Sequence, residues 1–171
     1  MPERKSAGAI GYDVAARAIL CPFEMDKYHP YLRKTLSNVP DDSQIARHAY
    51  RRGTELLYRM DLGESVLVGL GFITAMPFPL FYWVAPRSGL ASKFGITVTN
   101  APGTVDPDYR GEAGVLVYNR NQSIFDLARG MRITQIIFQW AVIPVLDEVA
   151  AYDDLVETGR GAGGFGSTGI Q

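Results

Sequence analysis

The chain holds 171 residues, 47% hydrophobic and 20% charged, enough for one globular domain with a buried core and too few for two large ones. That hydrophobic share excludes disorder as the dominant state. Seventeen Lys and Arg against 18 Asp and Glu leave a formal charge of -1. This excludes the global basic field of a sequence-independent nucleic-acid binder and leaves open a small anionic ligand held locally.

A single cysteine, Cys21, excludes an intrachain disulfide and a multi-thiolate zinc site. Met1 to Gly11 is charged and lacks the apolar core of a secretory leader, so a reducing, cytoplasmic setting is expected. Val66 to Ala85 carries no charge over about the length of a membrane helix, but Gly69, Gly71, Pro77 and Pro79 interrupt it, and no membrane span is expected.

In chain order, Gly8 to Val14 reads as a β-like segment with one carboxylate, Asp13. That group suits either a structural acceptor or a hydrated divalent cation held through water. After Asp26 and up to Met60 the chain is basic: Lys27, Arg33, Lys34, Arg47, Arg51, Arg52 and Arg59 face only Asp41, Asp42 and Glu55. Ile45, Ala46, Ala49, Tyr50, Gly53, Leu56, Leu57 and Met60 recur at the spacing of one helical face, with Asp41, Asp42 and Ser43 as N-cap candidates. This predicts a helix from about Ser43 to Met60. His29 and His48 offer no metal site and are expected at the surface or an interface.

From Gly63 short β-rich runs alternate with turns: Ser65 to Met76, Phe81 to Ala85, Gly95 to Thr99, Gly111 to Asn119, Ile124 to Leu127 and Arg132 to Val142. Such a series points to a sandwich or barrel.

Between these runs lie residues that carry chemistry. Pro86 to Ala91 places a guanidinium (Arg87), a hydroxyl (Ser88) and a glycine amide (Gly89) at one chain reversal. That is either a phosphate-binding turn or a plain strand-to-helix connection with Ser88 as N-cap. Asn100 to Glu112 is an acidic loop in which Asp106 follows apolar Val105; partial burial there would aim its carboxylate at a water, and an ordinary surface hairpin is the alternative. Arg132 and Gln135 project from the apolar run after Gly130. The glycine-rich tail, Gly159 to Gly169, offers backbone N–H groups, Arg160, Phe165, Ser167 and Thr168 to a nucleotide triphosphate, or is a solvated tail.

Five of these runs follow one another in a known order: Gly11-Tyr-Asp-Val-Ala-Ala16, Ala85-Pro-Arg-Ser-Gly-Leu-Ala91, Asn100-Ala-Pro-Gly-Thr-Val-Asp-Pro-Asp-Tyr-Arg-Gly-Glu112, Gly130-Met-Arg-Ile-Thr-Gln135 and Arg160-Gly-Ala-Gly-Gly-Phe-Gly-Ser-Thr-Gly169. On them the chain resembles the trimeric all-β deoxyuridine triphosphate nucleotidohydrolases, or dUTPases. The match covers the chain except Met1 to Lys5 and about Cys21 to Met60, where the resembling family has only a short strand connection.

The resemblance implies a jelly-roll-like β-barrel, a homotrimer with active sites shared between subunits, and cleavage of dUTP to dUMP and pyrophosphate by water attacking the α-phosphorus. It assigns Asp106 to activating that water, with Gln135 and Ser88 at the α-phosphate, and Arg87, Ser88 and Gly89 to the phosphates. Asn100, Gly103, Thr104 and Val105 would read uracil, with Gly114 closing the pocket and Tyr109 packing beneath the deoxyribose. Arg160 would reach the γ-phosphate, Phe165 would stack on uracil, and Gly166, Ser167 and Thr168 would line the phosphates as the arm closes. Mg²⁺ would be held chiefly by phosphate oxygens, with Asp13 acting through water.

Neither membrane nor nucleic acid is an expected partner. The related dCTP deaminases carry a glutamate in the strand after the hairpin, where this chain reads Gly114-Val-Leu-Val117; Leu116 is no acid or base, which disfavours deamination. The alternative of another class is a dUTPase-fold protein acting on a partner through the basic insertion, against which Arg160 and Phe165 argue, having no use in a pure binding module.

Overall fold

Period-two burial is plainest in the strand Gly114–Asn119, where Val115, Val117 and Asn119 face inward and the residues between them lie half-buried. Strands of this kind dominate the computed structural model, which describes residues 1–20 and 49–163. In chain order they are β1 (Tyr12–Ala15), β2 (Ala18–Leu20), β3 (Ala49–Arg52), β4 (Glu55–Met60), β5 (Ser65–Gly69), β6 (Leu80–Pro86), β7 (Ile96–Val98), β8 (Gly103–Val105), β9 (Gly114–Asn119), β10 (Phe125–Ala128) and β11 (Arg132–Trp140). One short helix, α1 (Ser88–Phe94), follows β6. The chain divides into a body, Met1–Ala141, and a C-terminal unit from Val142 that contains a single 3-10 turn, Tyr152–Asp154, among the described residues.

Antiparallel ladders join the strands into three sheets, ordered β1-β11-β6-β8, β10-β4-β3 and β2-β5-β9-β7. The all-β expectation is met. The barrel differs in one respect: among the described residues no ladder closes the sheets into a cylinder, and their inner faces share one core instead. Tyr82, Met60, Val68, Val117, Leu127 and Ile136 meet there from all three sheets. Truncating such a residue to alanine typically costs about 2–5 kcal/mol.

The helix expected from Ser43 to Met60 is corrected over Ala49 to Met60, which form the β3–β4 hairpin; residues 43–48 lie outside the described residues, as does the rest of the insertion from Cys21. Arg52 pairs with Glu55, leaving Gly53 and Thr54 as a two-residue turn, and Gly53 takes the left-handed φ of 64° that this turn requires. Inside a helix the same glycine would cost about 1 kcal/mol. The second edge of β4 pairs with β10, Leu127 opposite Tyr58, so sheet pairing satisfies its backbone on both sides. The run from Ser65 leaves its ladder after Gly69 rather than continuing to Met76, and no helix among the described residues is long and apolar enough to cross a membrane.

β6 connects the two halves of the site. On one side Tyr82, Trp83 and Val84 pair with Val105, Thr104 and Gly103 of β8. On the other, Ala85 pairs with Gln135 of β11, which pairs in turn with Asp13 of β1.

Candidate active site

Two clusters of the expected residues form on the body. The first is a pocket of about 270 Å³ between β8, the loop after it, and β9. Asn100, Gly103, Thr104, Val105, Asp106, Tyr109 and Gly114 all line it, joined by Leu67 of β5, Val84 of β6, and Glu112, Val115 and Leu116. Its wall is apolar on the β5–β9 side, where Leu67 and Leu116 face each other across the ladder. A side chain at Gly114 would press on Leu67, whose Cδ1 lies 3.2 Å from where a Cβ would sit. Among the described residues no lysine or arginine lines this pocket, and its charged members are the carboxylates Asp106 and Glu112. Such a cavity suits the neutral, flat end of a ligand, not its anionic end.

Asp106 stands at the pocket's edge and also borders a second concavity lined by Met76, Phe78 and Arg110. It is exposed, which corrects the expected partial burial: the loop turns outward directly after Val105, and the Tyr109 N–H closes the turn on the Asp106 carbonyl at 3.2 Å. The Tyr109 hydroxyl donates to the Glu112 carbonyl at 3.1 Å. Beneath the loop, Tyr82 is fully buried, and that burial pushes its phenol above the ordinary value; a Thr74 hydrogen bond opposes the rise and nearby Tyr109 adds to it.

The second cluster lies where β1, β6 and β11 end together. Arg87 Nε and Nη2 donate to Asp13 Oδ1 and Oδ2, both at 3.0 Å, and Arg87 Nη1 donates to the Arg132 carbonyl. Arg132 Nη1 adds a bond to Asp13 Oδ2 at 3.0 Å. The Gln135 amide donates through Nε2 to the Pro86 carbonyl at 2.9 Å, and its Oε1 sits 2.2 Å from where a Cβ on Gly11 would be. Ser88 and Gly89 are exposed at the start of α1. The N-cap of that helix is Arg87, in extended conformation and without a side-chain cap, so Ser88 is its first residue and not the cap.

The two clusters open into different concavities: Arg87 and Arg132 line one with Arg52 and Asp126, and none of these borders the pocket at Asp106. Arg160 belongs to the C-terminal unit, where its Nε donates to the Gly163 carbonyl at 2.8 Å. Phe165, Gly166, Ser167 and Thr168 lie outside the described residues. Leu67 and Val84 carried no chemical signal beyond strand alternation, whereas Arg132 and Glu112 stood within the recognised runs without a role.

For a divalent cation the donor set is sparse, with no group of three or more His, Cys, Asp or Glu among the described residues. The Asp13 carboxylate accepts three bonds of about four its lone pairs allow, which leaves Oδ1 able to accept from a water on a cation. An outer-shell part in holding Mg²⁺ fits this residue.

Fold and site together define an all-β protein with a pocket at a hairpin and a separate arginine–carboxylate cluster. The dUTPase family model matches residues 54–169. The deoxyuridine 5'-triphosphate nucleotidohydrolase of Rhizobium rhizogenes is 46% identical over 125 residues, 72% of this chain and 76% of the relative. That of Methylocella silvestris is 50% identical over 110 residues, covering 64% and 67%. Among solved structures, a dUTPase from Streptococcus mutans superposes with a TM-score of 0.58 at 20% identity over 85% of this chain and 89% of that one. A Staphylococcus bacteriophage 80alpha dUTPase with dUpNHpp superposes at 0.65 and 17% identity, over 99% and 92%. These two likenesses establish the fold. The chain belongs to the dUTPase family.

Proposed function

We propose that the protein hydrolyses dUTP to dUMP and pyrophosphate. The observation that carries this reading is the pocket itself, a cleft between β8 and β9 lined by no cation among the described residues, with Asp106 at its mouth. The names of the relatives support it independently.

In this reading the backbone of Gly103 to Val105 and the Asn100 side chain read uracil, and the narrow hairpin rejects the 5-methyl group of thymine. Tyr109 packs under the deoxyribose. Asp106 takes a proton from a water as its oxygen bonds to the α-phosphorus, and the bond to the bridging oxygen of the pyrophosphate breaks. Arg87, Ser88 and Gly89 hold phosphates, and Gln135 orients the water and the α-phosphate. When bound, Mg²⁺ would supply charge neutralisation at the phosphates, and Asp13 would hold it through water. Arg160, Phe165, Gly166, Ser167 and Thr168 close over the nucleotide and exclude water.

We further propose a homotrimer with shared sites. Base pocket and phosphate cluster border separate concavities of one chain, an arrangement that suits a nucleotide drawing the two motifs from different copies. The outer face of β6 offers a surface for that assembly: Phe81 and Trp83 meet edge to face at 5.7 Å, with Ile137 opposite the half-exposed Trp83.

The deciding experiment measures pyrophosphate release from dUTP, dCTP, dTTP and UTP with Mg²⁺, and identifies the base of each product. Release from dUTP alone, yielding dUMP, is expected. Release from none sinks the reading, and a deaminated product from dCTP replaces it.

A further inference from the structure

The ring of Tyr109 lies folded back over its own loop. A Cβ on Gly111 would stand 2.2 Å from the Tyr109 hydroxyl oxygen, 2.4 Å from Cζ and 2.9 Å from Cε2, so the ring occupies the space where any other residue at 111 would place its side chain. The far end of the ring is tied as well, the hydroxyl donating to the Glu112 carbonyl at 3.1 Å. The bond at its tip and the close seat over Gly111 orient a side chain that is 43% exposed to solvent.

Glu112 in turn is anchored. Its side chain is buried, and Oε1 accepts the Gly71 N–H at 2.8 Å. Backbone bonds at the next residue, Ala113 N–H to the Phe72 carbonyl and Leu70 N–H to the Ala113 carbonyl, both 2.9 Å, stitch this end of the loop to the chain leaving β5. A buried carboxylate bonded to a backbone amide is a charge-assisted contact, stronger than the neutral bonds beside it. The pocket wall carrying Tyr109 is thus backed by a second segment that none of the five recognised runs contains.

We propose that Gly111 and Glu112 are positioning residues for sugar selectivity: Gly111 clears the seat of the Tyr109 ring, and Glu112 holds that seat rigid against residues 70–72. The inference rests on the proposed place of Tyr109 beneath the deoxyribose. A ring rejects a ribose 2'-hydroxyl only if it cannot yield by a fraction of an ångström, because a soft wall moves aside and selectivity goes with it. Gly111→Ala pushes the ring off its seat, and Glu112→Ala removes the anchor, whereas Glu112→Gln keeps an acceptor oxygen for the Gly71 N–H.

The test reads sugar discrimination in two ways: the dUTP to UTP ratio of kcat/KM, and the affinities for dUMP and UMP by calorimetry, which need no hydrolysis. Gly111→Ala should cut the deoxyribose preference about tenfold or more, the scale of a steric discrimination. In a Tyr109→Ala background it should cut nothing further, since the two changes act on one ring. Glu112→Ala should lose preference and Glu112→Gln should retain it, with thermal melts showing each variant folded.

A Gly111→Ala protein that keeps its dUMP over UMP preference overturns the proposal, and so does an effect that adds fully to that of Tyr109→Ala. Should Gly111→Ala fail to fold, the Glu112→Ala and Glu112→Gln pair decides: equal preference in both overturns it. A chain that binds dUMP over UMP yet cleaves no nucleotide would sink the proposed hydrolysis and leave this inference standing. Equal affinity of the unaltered chain for the two monophosphates would sink the inference.

Discussion

Arg87 grips Asp13 with two parallel hydrogen bonds, Nε to Oδ1 and Nη2 to Oδ2, each 3.0 Å, across 74 positions of sequence. The fork of a guanidinium matches the two oxygens of a carboxylate, and Arg132 adds a third donor to the same group. Asp13 therefore aims the arginine assigned to the phosphates, in addition to any part it takes in holding Mg²⁺.

Asp13→Asn removes the charge and turns an amide toward guanidinium N–H groups. Because the pair is largely shielded from solvent, with side chains 25% and 15% exposed, about 1–3 kcal/mol of stability should be lost. Urea unfolding gives that number, and a raised KM for dUTP should accompany it. A variant as stable as the parent with unchanged KM would show that Arg87 needs no guide.

Gly11→Ala addresses the Gln135 amide from beneath. The clashing atom is the end of a flexible side chain, so the fold should survive while Gln135 leaves its place against the Pro86 carbonyl. The drop in kcat should match that of Gln135→Ala, and the double variant should be no slower than either single one. Full additivity would separate the two residues.

Asp106→Asn keeps the shape of the loop and removes the proposed base. Binding of dUTP measured by calorimetry should persist, while single-turnover hydrolysis falls about 10²–10⁴-fold. A fully active variant would mean that another group activates the water.

Truncation before Arg160 removes the C-terminal residues assigned to closing the site. Turnover should fall with the body still folded, because among the described residues the unit Met1–Ala141 carries the shared core. Unchanged kcat/KM in the truncated chain would leave the arm without a catalytic part.

Tyr82 predicts a pH dependence. Burial raises its pKa in the folded state, so the folded chain holds that proton more tightly than the unfolded one. The stability this provides is complete below the unfolded pKa of about 10 and is lost as pH rises through the higher folded value. Tyr82→Phe should flatten the decline in unfolding free energy between neutral and strongly alkaline pH, and an identical slope in both proteins would contradict it.

Much of the candidate site was legible because its parts are contiguous. Asn100 to Glu112 and Pro86 to Ala91 are runs whose turn residues act on their own neighbours, so their order along the chain was enough to name a family and to pick most of the pocket wall. The strands after Gly63 were legible for the same reason, since alternation and turn glycines are local signals.

Chain order did not carry the features settled by pairing between distant segments. Ala49 to Met60 follows a helical spacing, and it is a hairpin because β10 supplies the other edge of β4. Leu67 enters the pocket only through the β5–β9 register, and Asp13 meets Arg87 only because β1 and β6 flank β11. Asp106 comes directly after a strand in sequence yet stands exposed, because the loop turns outward after Val105. By itself the sequence determined which chemical groups this protein possesses and the order in which its turns present them. Tertiary structure alone decided which of those groups meet, since hydrogen-bonded register and shared burial are properties of two segments at once.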